Sequence, residues 1–179
     1  MFQSFTATTS PEQGPPRLAA LRAELAARGL AGFIVPRADA HQGEYVSARD
    51  ARLEWLTGFT GSAGFCIVLP GLAGVFIDGR YTLQVRGQIA LSDFTPVDWP
   101  ATQPADWLRQ HAAAGAVIGY DPWLHTPDEI AKIETGLAGS GLSLQPLDQN
   151  PLDAIRADLP EPARGKVRLH PLELAGKSA

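Results

Sequence analysis

The sequence predicts an α/β domain, with a mixed sheet of about six strands and helices on both faces. Short apolar runs alternate with helical patterns of roughly ten residues, which is the order of an α/β sandwich. Two of the apolar runs, Phe65 to Leu69 and Leu72 to Ile77, are separated by Pro70-Gly71, so they form a hairpin and make the sheet mixed. A chain of 179 residues with 45% hydrophobic content suits one such domain, or one domain plus a tail.

Residues 1–14 are polar and read as a loose arm. Pro15-Pro16 opens a helix in which Leu18, Leu21 and Leu25 recur at helical spacing, and Gly29 closes it. Ala31 to Val35 is a short buried strand stopped by Pro36. The polar segment from Arg37 to Asp50 reads as a loop, and Ser47 with Asp50 resembles a capping box for a helix over residues 49–58. A glycine-rich bend follows at Thr60 to Gly64, then the hairpin. Residues 81–90 read as a helix, and Phe94 to Val97 as an edge strand. Asp106 to Ala114 is a helix approached through Pro104, and Ala116 to Tyr120 a strand. Thr126-Pro127-Asp128-Glu129 combines a cap, a first-turn proline and acids at the positive helix end; that helix runs to about Leu137. Leu142 to Gln145 is the last strand. After Asn150 come a short helical turn and a linker carrying prolines at 151, 160, 162 and 171.

The bulk numbers exclude several functions. A net charge of −4 supplies no basic face for nucleic acid. No apolar run approaches the roughly 20 residues of a membrane helix, and the N-terminus lacks the basic start and apolar core of a secretory signal. The single Cys66 sits in an apolar run and reads as a core residue. A reducing cytoplasm fits these features.

Four groups of residues could carry chemistry. Asp39, His41 and Glu44 lie within six residues, but their spacing is not that of HExxH, and a structural or interface role outweighs metal binding. Thr60 to Gly64 nearly matches a nucleophile elbow, yet a threonine replaces the first glycine and the helix–turn–strand context is reversed, so it reads as a tight bend. Trp55 and Trp107 are placed for core packing, whereas Trp99, followed by Pro100, reads as exposed. Arg80 follows a buried strand through Asp78-Gly79, at the carboxyl end where open α/β sheets bind ligands. It either meets a carboxylate or carbonyl from outside or forms a salt bridge to Asp78 or another acid.

ADAHQGEYV, RLEWLTGFTGSAG and DGRYTLQ, in this order, together with the tail from Leu147, resemble the first domain and exit linker of the cytosolic three-domain Xaa-Pro aminopeptidases (aminopeptidase P). The resemblance covers nearly all of the chain after residues 1–14; it departs at Gly43, where serine is usual. It implies a creatinase/prolidase N-terminal fold, ribonuclease H-like, over residues 15–155, with 156–179 as a linker toward a second domain. It implies peptide substrates with proline second, and a homodimeric full-length enzyme. Two divalent metals, usually manganese, would activate water, held by two aspartates, a histidine and two glutamates of a C-terminal domain. No cofactor or catalytic residue is expected in this chain, which would be an inactive piece of that enzyme. On the resemblance Arg80 contacts substrate, with His41 and Tyr81 as candidates to join it, and Asp39, His41, Glu44 and Tyr45 form an interface loop. The alternatives are a related creatinase/prolidase-type hydrolase domain, or a stand-alone binding module.

Overall fold

The structure, a computed structural model, describes residues 9–162 and 165–178. The expected arm over residues 1–8 lies outside the described residues. Its remainder is not loose: Pro11–Gln13 forms a 3-10 turn and the first helix, α1 (Gly14–Ala27), already starts at the buried Gly14. Leu18, Leu21 and Leu25 share one face of α1, as their spacing requires, and all three are buried. Gly29 takes the left-handed φ of 71° that lets the chain leave the helix.

Six strands follow: β1 (Gly32–Pro36), β2 (Phe65–Val68), β3 (Ala73–Ile77), β4 (Thr95–Asp98), β5 (Val117–Tyr120) and β6 (Ser143–Pro146). They form one sheet in the order β4-β3-β2-β1-β5-β6. β2 is antiparallel to both β1 and β3, while the β3–β4, β1–β5 and β5–β6 pairs are parallel, so the sheet is mixed. The hairpin register sets Cys66 beside Val35 on one side and Val75 on the other. The middle strands are buried continuously, because helices cover both faces.

One face packs Phe33, Val35, Cys66 and Val75 under α1, α2 (Arg52–Thr57), α3 (Gln84–Gln88) and α6 (Pro151–Ile155). The other packs Ile34, Ile67, Phe76 and Ile118 under α4 (Pro104–His111) and α5 (Pro127–Leu137). Phe76 stacks on Phe65 at 4.4 Å between centroids and meets the edge of Trp107 at 5.6 Å. Each fully buried side chain of this size contributes about 1.5–3 kcal/mol by leaving water.

Several elements differ from expectation. α2 begins only at Arg52: Ser47 does bond Asp50, at 2.7 Å between side chains, but those residues form a turn ahead of the helix. The helix expected over 81–90 splits into a 3-10 turn at Gly79–Tyr81 and the short α3, since Ile89 is already extended. The tail holds one further helical turn, α7 (Leu172–Ala175), on an otherwise exposed segment. Trp107 is a core residue, but Trp55 is only half-buried, and Trp99 packs against the second core cluster instead of standing free. Among the described residues no helix is long and apolar enough to cross a membrane.

Candidate functional site

Every strand except β2 ends at the same edge of the sheet, as the pairing directions require. The three segments singled out in the sequence meet there: the loop after β1, the glycine bend leading into β2, and the turn after β3.

β3 is buried along its whole length and stops at Asp78. The Asp78 carboxylate accepts the Arg80 backbone N–H at 2.9 Å, capping the Gly79–Tyr81 turn. It also takes the guanidinium two-pronged: Arg80 Nε donates to Oδ1 at 3.0 Å and Nη2 to Oδ2 at 2.7 Å. The bond from Arg80 holds the Asp78 pKa below the ordinary carboxylate value, and the same bond raises that of Arg80. The Arg80 side chain nevertheless stays 64% exposed. Arg80 is therefore tied to its own turn while much of its side chain faces solvent.

Tyr81 supports it from below. The Arg80 guanidinium carbon lies 5.0 Å from the Tyr81 ring centroid, within cation–π range. The ring is pinned edge-on against Phe59, with centroids 5.5 Å apart. Its hydroxyl lies 2.6 Å from Ser62 Oγ and accepts the Ser62 N–H at 3.1 Å. With its hydroxyl engaged by Tyr81, Ser62 serves the tight bend and not a nucleophile elbow. Gly64 gives the reason for the glycine at the end of that bend: its φ is 151°, and a Cβ would stand 2.7 Å from the Phe76 carbonyl oxygen.

The loop after β1 is held by its own hydrogen bonds. Asp39 accepts the N–H groups of His41 at 2.9 Å and Gly43 at 3.0 Å, and the Gly43 bond leads in lowering its pKa. Gly43 fits this turn closely, since a Cβ there would lie 3.2 Å from Asp39 Oδ2. Arg37 ties the loop to the bend, through its N–H to Gly64 O at 3.2 Å and its Nη2 to Glu44 O at 3.0 Å. The Glu44 charge acts on Arg80 as well. Tyr81 thus packs against Arg80, whereas His41 has no described contact with it. Tyr45 stands 91% exposed. Asp39 spends one carboxylate oxygen on backbone amides, and among the described residues no three His, Cys, Asp or Glu side chains group as a metal site.

Two features had no signal in the sequence. The first is the anchor at the root of the tail: Arg156 donates to the carbonyls of Ala48 and Arg49 at 3.1 and 3.0 Å, and Trp55 Nε1 donates to Asp158 at 3.0 Å. The Trp55 ring also carries the guanidinium groups of Arg17 at 4.5 Å and Arg156 at 5.6 Å. The partners lie about a hundred residues apart in sequence, beyond the reach of local patterning. The second is a cleft of about 510 Å³ between α4, α5 and the sheet edge, with Arg37, Phe65, Trp99, His125 and Lys132 in its walls. Burial lowers the His125 pKa, and its Nε2 is buried without a partner among the described residues.

The family model described as the Creatinase/Prolidase N-terminal domain matches residues 17–157. Probable Xaa-Pro aminopeptidase P of Aspergillus niger is 38% identical over 167 residues, covering 90% of this chain and 27% of that protein. Its counterpart in Coccidioides posadasii is 36% identical over 97% of this chain, again 27% of the relative. The chain thus spans about a quarter of the length of these curated relatives. Among solved structures, the X-prolyl aminopeptidase of Caenorhabditis elegans, described as a cytosolic enzyme with a di-nuclear active site, superposes with a TM-score of 0.76 at 30% identity, over 84% of this chain and 26% of that one. The N-terminal domain of the cytoplasmic peptidase PepQ from Mycobacterium tuberculosis shares the fold, with a TM-score of 0.60 at 22% identity over 79% of this chain and 98% of that one. By sequence match and by fold, this chain belongs to the Creatinase/Prolidase N-terminal domain family.

Proposed function

We propose that this chain is the non-catalytic N-terminal domain of a Xaa-Pro aminopeptidase, an enzyme that releases the residue preceding proline at a peptide's N-terminus. The observation that carries this reading is Arg80: an exposed guanidinium, braced by Asp78 and Tyr81, on the sheet edge where the family's three motifs meet. The match to aminopeptidase P proteins, which spans nearly all of this chain and a quarter of theirs, supports it.

In this reading residues 15–155 form the domain and 156–179 the linker toward the catalytic part. Any metal pair belongs to that part, with manganese as the expected ion. Arg80 supplies a fixed positive charge and planar donors to a substrate carbonyl or carboxylate. The loop bearing Asp39, His41, Glu44 and Tyr45 faces the catalytic domain. The enzyme works in the cytoplasm as a homodimer.

The test compares this chain alone with the longer polypeptide on Arg-Pro-Pro in the presence of manganese. Cleavage by the longer protein and none by this chain is expected. Turnover by the 179-residue chain itself would refute the assignment.

A further inference from the structure

We infer that Asp78 is a positioning residue for Arg80, setting the direction from which the guanidinium meets substrate. The inference rests on the proposed substrate role of Arg80. An arginine side chain on an exposed turn has several free torsions and samples many directions. Here two oxygens of one carboxylate take Nε and Nη2, which removes most of that freedom. Because the same carboxylate caps the turn through the Arg80 N–H, side-chain direction and backbone are fixed by one group.

The ring of Tyr81 then limits motion on one side, and its hydroxyl passes the constraint to Ser62 on the neighbouring bend. Among the described residues no partner takes Nη1, so its two N–H groups and the second N–H of Nη2 remain available to an outside acceptor. Fixed donors aimed at an acceptor lose less entropy on binding than mobile ones. Asp78 therefore acts without touching substrate.

The first test uses this chain. In Asp78→Asn the cap to the Arg80 N–H can persist, while the charged, two-pronged grip is lost. Hydrogen exchange of the Arg80 Nε–H, followed by NMR, should quicken at least about tenfold. An unchanged rate would overturn the inference, because it would mean the grip does not form in solution.

The second test uses the full-length enzyme with Asp78→Asn, Arg80→Ala and the double variant. Asp78→Asn should lower kcat/KM about three- to tenfold, and should add nothing when Arg80 is already alanine. A wild-type kcat/KM for Asp78→Asn, or a loss that persists in the Arg80→Ala background, contradicts positioning. A wild-type kcat/KM for Arg80→Ala instead overturns the substrate role itself, so the two failures are distinguishable. Should Asp78→Asn fail to fold, Asp78→Glu keeps the charge, lengthens the arm by one methylene, and must still reduce kcat/KM.

Discussion

Ser62 and Tyr81, nineteen residues apart, are joined twice: their hydroxyls lie 2.6 Å apart, and the Tyr81 oxygen accepts the Ser62 N–H at 3.1 Å. This pair locks the glycine bend to the turn that presents Arg80. Tyr81→Phe keeps the ring under the guanidinium but strips both bonds, so stability should fall by about 1 kcal/mol in urea unfolding.

Phe76 is fully buried between Phe65 and Trp107. Phe76→Ala leaves a cavity in the tightly packed second core and should cost about 3–5 kcal/mol, measured by denaturant midpoint at constant slope.

The Asp39 turn is acid-sensitive in a defined direction. Its pKa in the folded chain is lowered, first by the Gly43 N–H and then by that of His41. The folded state therefore favours the carboxylate: its contribution is whole above the ordinary aspartate value and is lost as pH falls through the lowered one. The Gly43 and His41 amide resonances should shift together in that acid window; titration at the ordinary aspartate value would show that these bonds do not form.

Arg156 holds the root of the tail against the Ala48 and Arg49 carbonyls. Arg156→Ala should destabilise the domain by about 2 kcal/mol and speed amide exchange over residues 157–160. Exchange unchanged in that segment would show that the tail is fixed by other contacts.

How legible each part was follows from the range of its signals. Helix α5 begins at Pro127 as read, because its cap and acids are adjacent: Thr126 Oγ accepts the Glu129 N–H while Glu129 accepts the Thr126 N–H. The hairpin was equally local, whereas the strand order came only from the structure. Residues 81–90 misled because apolar spacing there serves packing of Val85 and Ile89 against the first core, with a turn intervening. Arg80 and its pairing with Asp78 could be singled out from their place after a buried strand, but not the packing of Tyr81: Ser62 and Phe59 approach Tyr81 only once β2 and β3 pair. The Trp55 anchor and the cleft were silent for the same reason.

The most direct measurement is the steady-state kinetics of Arg80→Ala in the full-length enzyme on a proline-second peptide. The side chain is exposed, so the melting temperature should hold, while kcat/KM falls roughly ten- to a hundredfold, the scale of one lost charge-assisted contact. An unaltered kcat/KM would mean that Arg80 serves only its own turn and that this sheet edge does not meet substrate.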